Sequence, residues 1–268
     1  MTTVSHEPAR PGGTGSPAPE IEGLTDLLRS MADDEFVIGY SDSEWTGIAP
    51  LLEEDIAMSS LAQDELGHAQ ALYGLLAGVT GAVDADTLAY DREPAEYRHA
   101  RLLDHGRGDW AMTIARRYLY ETADAVRLRG LTTGRWLPLA ERVVKLVREE
   151  RYHLMHVDLW LERLASTAGE PRDRLIAALE TLGPDAGTVF TPLPGEPALV
   201  GAGILAKPMA ELERAWRAEV APVFDRLGLP APPATRDPAR GRTDHGQAFD
   251  WLHGEFTSVR RSDPGATW

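Results

Sequence analysis

The pattern Glu-x-x-His occurs twice in this chain, as Glu65 with His68 and as Glu150 with His153, and each copy interrupts an apolar stripe of helical period. Positions three and four apart share one face of an α-helix. The first stripe runs Met58, Leu61, Glu65, His68, Leu72, Leu75, and the second runs Val143, Leu146, Glu150, His153, Val157, Leu161, Leu164. Two further segments carry a single glutamate on such a stripe: Leu24, Leu28, Met31, Glu35, Ile38, and Ile114, Tyr118, Glu121, Ala125, Leu128. Glu35 precedes Glu65 by 30 residues and Glu121 precedes Glu150 by 29, so the chain reads as two pseudo-equivalent helix pairs.

These stripes predict four carboxylates in one interior. Buried together without a cation, they would cost many kcal/mol or be forced to take up protons. Two divalent ions remove that cost, and one Glu plus one Glu-x-x-His from each helix pair is the ligand set of carboxylate-bridged di-iron and di-manganese bundles. The fold expected is therefore all-α, a ferritin-like four-helix bundle with additional C-terminal helices. The ligands expected are Glu35, Glu65, His68, Glu121, Glu150 and His153, holding two iron ions; the same oxygen and imidazole donors would accept manganese. Asp64 and Glu149, equivalent places in the two motifs, are expected to accept hydrogen bonds from the outer N–H of the two histidines. Glu44 stands as the alternative to Glu35 on the first helix, and Asp124 as a weaker alternative to Glu121. The other histidines, His99, His105, His156, His245 and His253, are expected at the surface or at helix caps.

Composition narrows the chemistry. With no cysteine, the chain has no disulfide, thiolate metal site or cysteine nucleophile. A formal charge of −15 disfavours nucleic acid and anionic lipid, although a local pair such as Arg116 and Arg117 remains able to meet an anion. No long charge-free apolar run and no signal pattern appear, which predicts a cytoplasmic protein without membrane insertion. Residues 1-20, rich in Pro, Gly, Ser and Thr, are expected to form a disordered tail. Helices are expected at roughly 22-40, 50-78, 107-130, 137-167, 171-190, 206-227 and 245-261, placing the bundle over 21-227. Residues 228-268 then form a linker and a helical extension of the same domain, with a surface linker over 228-246. The run from Gly201 to Ala206 formally matches a dinucleotide fingerprint but lacks the strand that such a site needs.

Several longer segments also look familiar: SEWTGIAPLLEEDIAMSSLA, DREPAEYR, GDWAMTIARRYLYETAD, REERYHL followed by LWLERLAS, RAWRAEVAPVF, and the closing TDHGQAFDWLHGEF with DPGATW. From about Asp33 onward the chain resembles the family of C-type subunits of the multicomponent phenylacetyl-CoA epoxidase (phenylacetate-CoA oxygenase), the ring-1,2-epoxidase of bacterial phenylacetate breakdown. The resemblance implies a ferritin-like protein that pairs tightly with a homologous catalytic partner, the A-type subunit. Electrons come from a separate flavin and iron–sulfur reductase, and the complex acts on an aromatic acyl-CoA. The resemblance also implies a structural role, since C-type members often have an incomplete ligand set. Here AQDELGHA, REERYH and DEFVIG look like the intact ligand motifs of the catalytic A-type chain, which puts a purely structural role in question. The competing expectation is a self-contained di-iron oxidase.

Overall fold

A computed structural model of the chain describes residues 19–82 and 84–263. Among the described residues there are α- and 3-10 helices and no strand. Four long helices make the frame: α1 (Pro19–Ser43), α2 (Leu52–Thr80), and, after a short α3 (Ala85–Tyr90) and an irregular crossing, α4 (Trp110–Arg129) and α5 (Leu137–Ser166). The chain continues through α6 (Glu170–Leu182), a 3-10 stretch Gly183–Phe190, α7 (Glu196–Gly201), α8 (Met209–Leu227) and α9 (Gln247–Ser262). This is the expected all-α, ferritin-like architecture. The expected tail falls mostly outside the described residues, and its last two residues, Pro19 and Glu20, already belong to α1.

Local sequence explains the ends of these helices. Glu53, Glu54 and Asp55 crowd the first turn of α2, where carboxylates complement the positive end of the helix dipole. Gly81 ends the same helix with φ +72°, a left-handed conformation that a side chain disfavours. Asp109 caps α4, its Oδ1 accepting from the Met112 N–H at 2.9 Å. Pro138 and Pro171 sit in the first turns of α5 and α6, where a missing N–H loses nothing. α3 and α7 have six residues each, too short for a periodic stripe to show in the sequence.

Side-chain pairs fix the register of the bundle. His156 Nε2 meets Glu54 Oε2 at 2.7 Å, and His68 Nε2 meets Glu149 Oε2 at 2.8 Å, so α2 and α5 run antiparallel. α1 and α4 do likewise, with Tyr120 reaching Glu35, and Arg127 reaching Asp34 at 2.5 Å. The apolar core is continuous, from Leu24, Leu28 and Met31 on α1 to Trp216 and Phe224 on α8 and Phe249 and Phe256 on α9.

The segment 228–246 is more than a surface linker. Arg242 is buried and forks onto Asp34, with Nη1 to Oδ1 at 2.9 Å and Nη2 to Oδ2 at 3.0 Å. It also donates to the carbonyls of Arg98 and Val189, both at 2.7 Å. Nor are the extra histidines all peripheral, since His99 and His253 are buried. A histidine can enter a core when its polar atoms find partners there: His99 Nε2 lies 2.5 Å from Asp104 Oδ1, and His253 Nε2 lies 2.8 Å from the Arg92 carbonyl.

Candidate metal centre

The pseudo-equivalent helix pairs bring all six predicted ligands into one dry interior. Glu35 comes from α1, Glu65 and His68 from α2, Glu121 from α4, and Glu150 and His153 from α5, all of them buried. They form two four-residue groups, Glu35, Glu65, His68, Glu150 and Glu65, Glu121, Glu150, His153, each with one donor atom per residue clustered within 4.8 Å.

Each group centres on a histidine Nδ1. Around His68 Nδ1 stand Glu150 Oε1 at 3.2 Å, Glu35 Oε2 at 3.5 Å and Glu65 Oε2 at 3.8 Å. Around His153 Nδ1 stand Glu65 Oε1 at 3.2 Å, Glu150 Oε2 at 3.4 Å and Glu121 Oε1 at 3.8 Å. Glu65 and Glu150 thus turn one oxygen to each group, while Glu35 and Glu121 each serve a single group. The two imidazoles lie nearly parallel, with ring centroids 6.1 Å apart.

The outer faces of the rings are held crosswise: His68 Nε2 by Glu149 at 2.8 Å, and His153 Nε2 by Asp64 at 3.4 Å. A carboxylate on Nε2 turns Nδ1 inward and raises its basicity. Glu44, the alternative on the first helix, lies beyond the end of α1, where it faces Arg107 at 3.7 Å. Asp124 is buried nearby, but its Oδ1 accepts from Arg127 Nε at 2.7 Å.

A test of fit to a metal is whether the inward atoms have partners. Glu35 Oε2, Glu65 Oε2, Glu121 Oε2, Glu150 Oε1, His68 Nδ1 and His153 Nδ1 are all buried without a hydrogen-bond partner. Buried polar atoms in native proteins are nearly always paired. Six inward donors of oxygen and imidazole type, one from each ligand residue, are a set that a pair of dications would satisfy.

Electrostatics carry the same message. Burial, reinforced by the Glu65 charge, pushes the Glu35 carboxyl well above the usual range. Burial likewise pushes Glu121 up, against the opposing pull of Arg117. Burial disfavours both imidazolium ions, yet the carboxylates win. The Glu150, Glu35 and Glu65 carboxylates close to its ring push His68 up to about 12, and Glu65, Glu150 and Glu121 do the same for His153. These shifts run toward holding positive charge beside the carboxylates, and a metal would compete with protons for the same groups.

Two residues escaped the sequence reading. Tyr120, buried, donates its hydroxyl to Glu35 Oε1 at 3.1 Å and leaves Oε2 to face His68. Arg117 is buried and anchors Nη1 on Asp42; its Nη2 donates to Glu121 Oε1 and to Glu65 Oε1, the latter at 3.1 Å. Arg116 is buried beside it, bonded to Ser41 Oγ at 2.7 Å. The anion this pair meets is thus internal carboxylate. The available signal was position: Arg117 is one turn before Glu121, on the same face.

A third carboxylate–histidine group, His99, Asp104 and His245, lies apart from this centre and ties α9's leading loop to the crossing before α4. No helix of the described residues is long and apolar enough to cross a membrane. Comparison with known proteins matches residues 12–268 to the family described as phenylacetic acid catabolic protein. The chain is also similar to the C-type subunit of 1,2-phenylacetyl-CoA epoxidase from Escherichia coli (strain K12), with 29% identity over 246 residues, covering 91% of this chain and 99% of that protein.

Proposed function

This chain belongs to the phenylacetic acid catabolic protein family, and on that premise we propose that it is a C-type component of a phenylacetyl-CoA 1,2-epoxidase that carries its own metal pair and assembles with a homologous catalytic A-type chain. The observation that carries this reading is the set of six buried, unpartnered atoms, one from each of Glu35, Glu65, His68, Glu121, Glu150 and His153. When bound, a pair of iron ions supplies the reduction of dioxygen that ring epoxidation requires.

The remaining work falls to the chain. His68 and His153 present Nδ1 inward because Glu149 and Asp64 hold Nε2 from outside. Glu65 and Glu150 span both groups, and Tyr120 fixes Glu35 by its other oxygen. Apolar residues such as Leu28, Ile114 and Val157 keep bulk water away, which strengthens every charge interaction within. An exposed apolar stripe, Tyr152, Met155 and Leu159, runs along α5 beside the His153 turn and suits a protein partner.

A second reading, a scaffold without turnover, is favoured by one observation: Arg117 already neutralises part of the carboxylate charge. Co-expression with a homologue of the A-type chain separates these readings. Iron retained in the purified complex and lost in the Glu65→Ala, Glu150→Ala double variant is expected. A metal-free but folded wild-type chain would overturn the metal part, and failure of the chains to co-purify would overturn the assembly part. With reductase, dioxygen and phenylacetyl-CoA present, turnover that the double variant leaves intact would assign catalysis to the A-type chain alone.

A further inference from the structure

The two halves of the centre carry matching candidate ligands but differ at the buried position one turn before each terminal glutamate. Each terminal glutamate has a neighbour one turn earlier on its own helix: Met31 before Glu35, and Arg117 before Glu121. Both are fully buried. Met31 adds no charge to the His68 group, where Glu35 Oε2, Glu65 Oε2, Glu150 Oε1 and His68 Nδ1 all lack partners. Arg117 does the opposite in the His153 group. Of the three oxygens around His153 Nδ1, two, Glu65 Oε1 and Glu121 Oε1, accept hydrogen bonds from its Nη2.

We infer that Arg117 makes the two metal positions unequal, so that an ion at His68 binds first and more tightly than an ion at His153. The inference rests on the proposed metal reading. A guanidinium bonded to two ligand oxygens withdraws their lone-pair density and adds a fixed positive charge beside the incoming dication. Asp42 holds the other end of Arg117 through Nη1, so withdrawal of the side chain from the glutamates means bending a buried, anchored group. At the His68 position Arg117 touches none of the three oxygens around Nδ1 and reaches only the far oxygen of the shared Glu65. An isolated chain therefore fills the His68 position first, and the second ion enters only against Arg117.

Anaerobic titration of the wild-type chain with Co(II) or Fe(II) against a competing chelator tests this without a variant. Two binding classes are expected, separated by at least about tenfold in affinity. Glu35→Gln should abolish the tight class and Glu121→Gln should spare it. Arg117→Met, which copies the Met31 half, should bring the two affinities within a few-fold of each other. Two equal sites in the wild type, or a tight class that survives Glu35→Gln and disappears in Glu121→Gln, would overturn the inference while leaving the metal reading intact. Absence of any binding to folded wild-type protein would overturn the metal reading itself. Should Arg117→Met fail to fold, as judged by circular dichroism, the wild-type and glutamate-variant titrations decide the matter alone.

Discussion

His68 Nε2 lies 2.8 Å from Glu149 Oε2, across the seam between α2 and α5, and the bond fixes which ring nitrogen faces the interior. Glu149 is half exposed, with 55% of its side-chain surface open. Its removal therefore affects orientation more than packing. Glu149→Ala is expected to weaken metal binding by about 10- to 100-fold, the usual cost of losing such a partner, with little change in the melting temperature of metal-free protein. Asp64→Ala should cost less, since its bond to His153 is longer at 3.4 Å. Chelator competition and thermal melts on the two variants check both statements.

Asp34 holds two buried guanidinium groups, those of Arg127 and Arg242, and accepts the Ala100 N–H at 2.7 Å. Asp34→Ala strands both charges. Breaking a buried pair from one side typically costs about 3–5 kcal/mol. Denaturant unfolding should register that loss, and limited proteolysis should cut more readily within 228–246, because Arg242 is the buried tie between that segment and α1.

Asp104 gives a pH signature. Burial opposes its charge, but hydrogen bonds from His245 and His99 outweigh burial and lower its pKa from the ordinary 3.8 to about 2. A depressed carboxyl stabilises the fold above the unfolded pKa and loses that contribution as pH falls through the folded one. The stability gap between wild type and Asp104→Asn should thus be full above about pH 4 and shrink by roughly 2 kcal/mol on approach to pH 2. Urea melts at pH 5, 4, 3 and 2 measure the gap; a gap that grows toward acid pH would contradict this assignment.

Trp216 on α8 is fully buried, and its indole N–H donates to Thr122 Oγ1 at 2.9 Å. Trp216→Ala is expected to cost about 3–5 kcal/mol through the cavity it leaves. Trp216→Phe should cost about 1 kcal/mol, chiefly the lost hydrogen bond. Metal content per folded chain should remain at the wild-type value in both, since Trp216 bonds to none of the six ligand residues.

That these six carboxylate and imidazole side chains share one interior was legible because a helical stripe makes any charged residue on it conspicuous. Asp64 and Glu149 were legible by pairing the two motifs. Arg117 was legible only as half of a pair able to meet an anion: its place one turn before Glu121 was the signal, but two adjacent arginines in ARRYLYE do not show that both turn inward. Asp33 and Asp34 were hidden for the same reason: two acids next to Glu35 give no sign of which way they turn, yet each finds its own buried partners. Arg242 was illegible because its partners Asp34, Arg98 and Val189 lie 208, 144 and 53 residues earlier, separations that only the folded chain closes.

That acidic run has a further consequence. Asp33 accepts from Tyr73 and Arg92, both at 2.5 Å; Asp34 accepts from Arg127 and Arg242; and Glu35 faces His68. Successive side chains on a helix point about 100° apart, so one turn of α1 addresses three separate networks at once. A point substitution there disturbs one network and leaves the other two in place. A single-residue insertion or deletion just upstream rotates all three carboxylates together, so the length of this stretch of α1, more than its composition, is what natural variation in the chain must leave untouched.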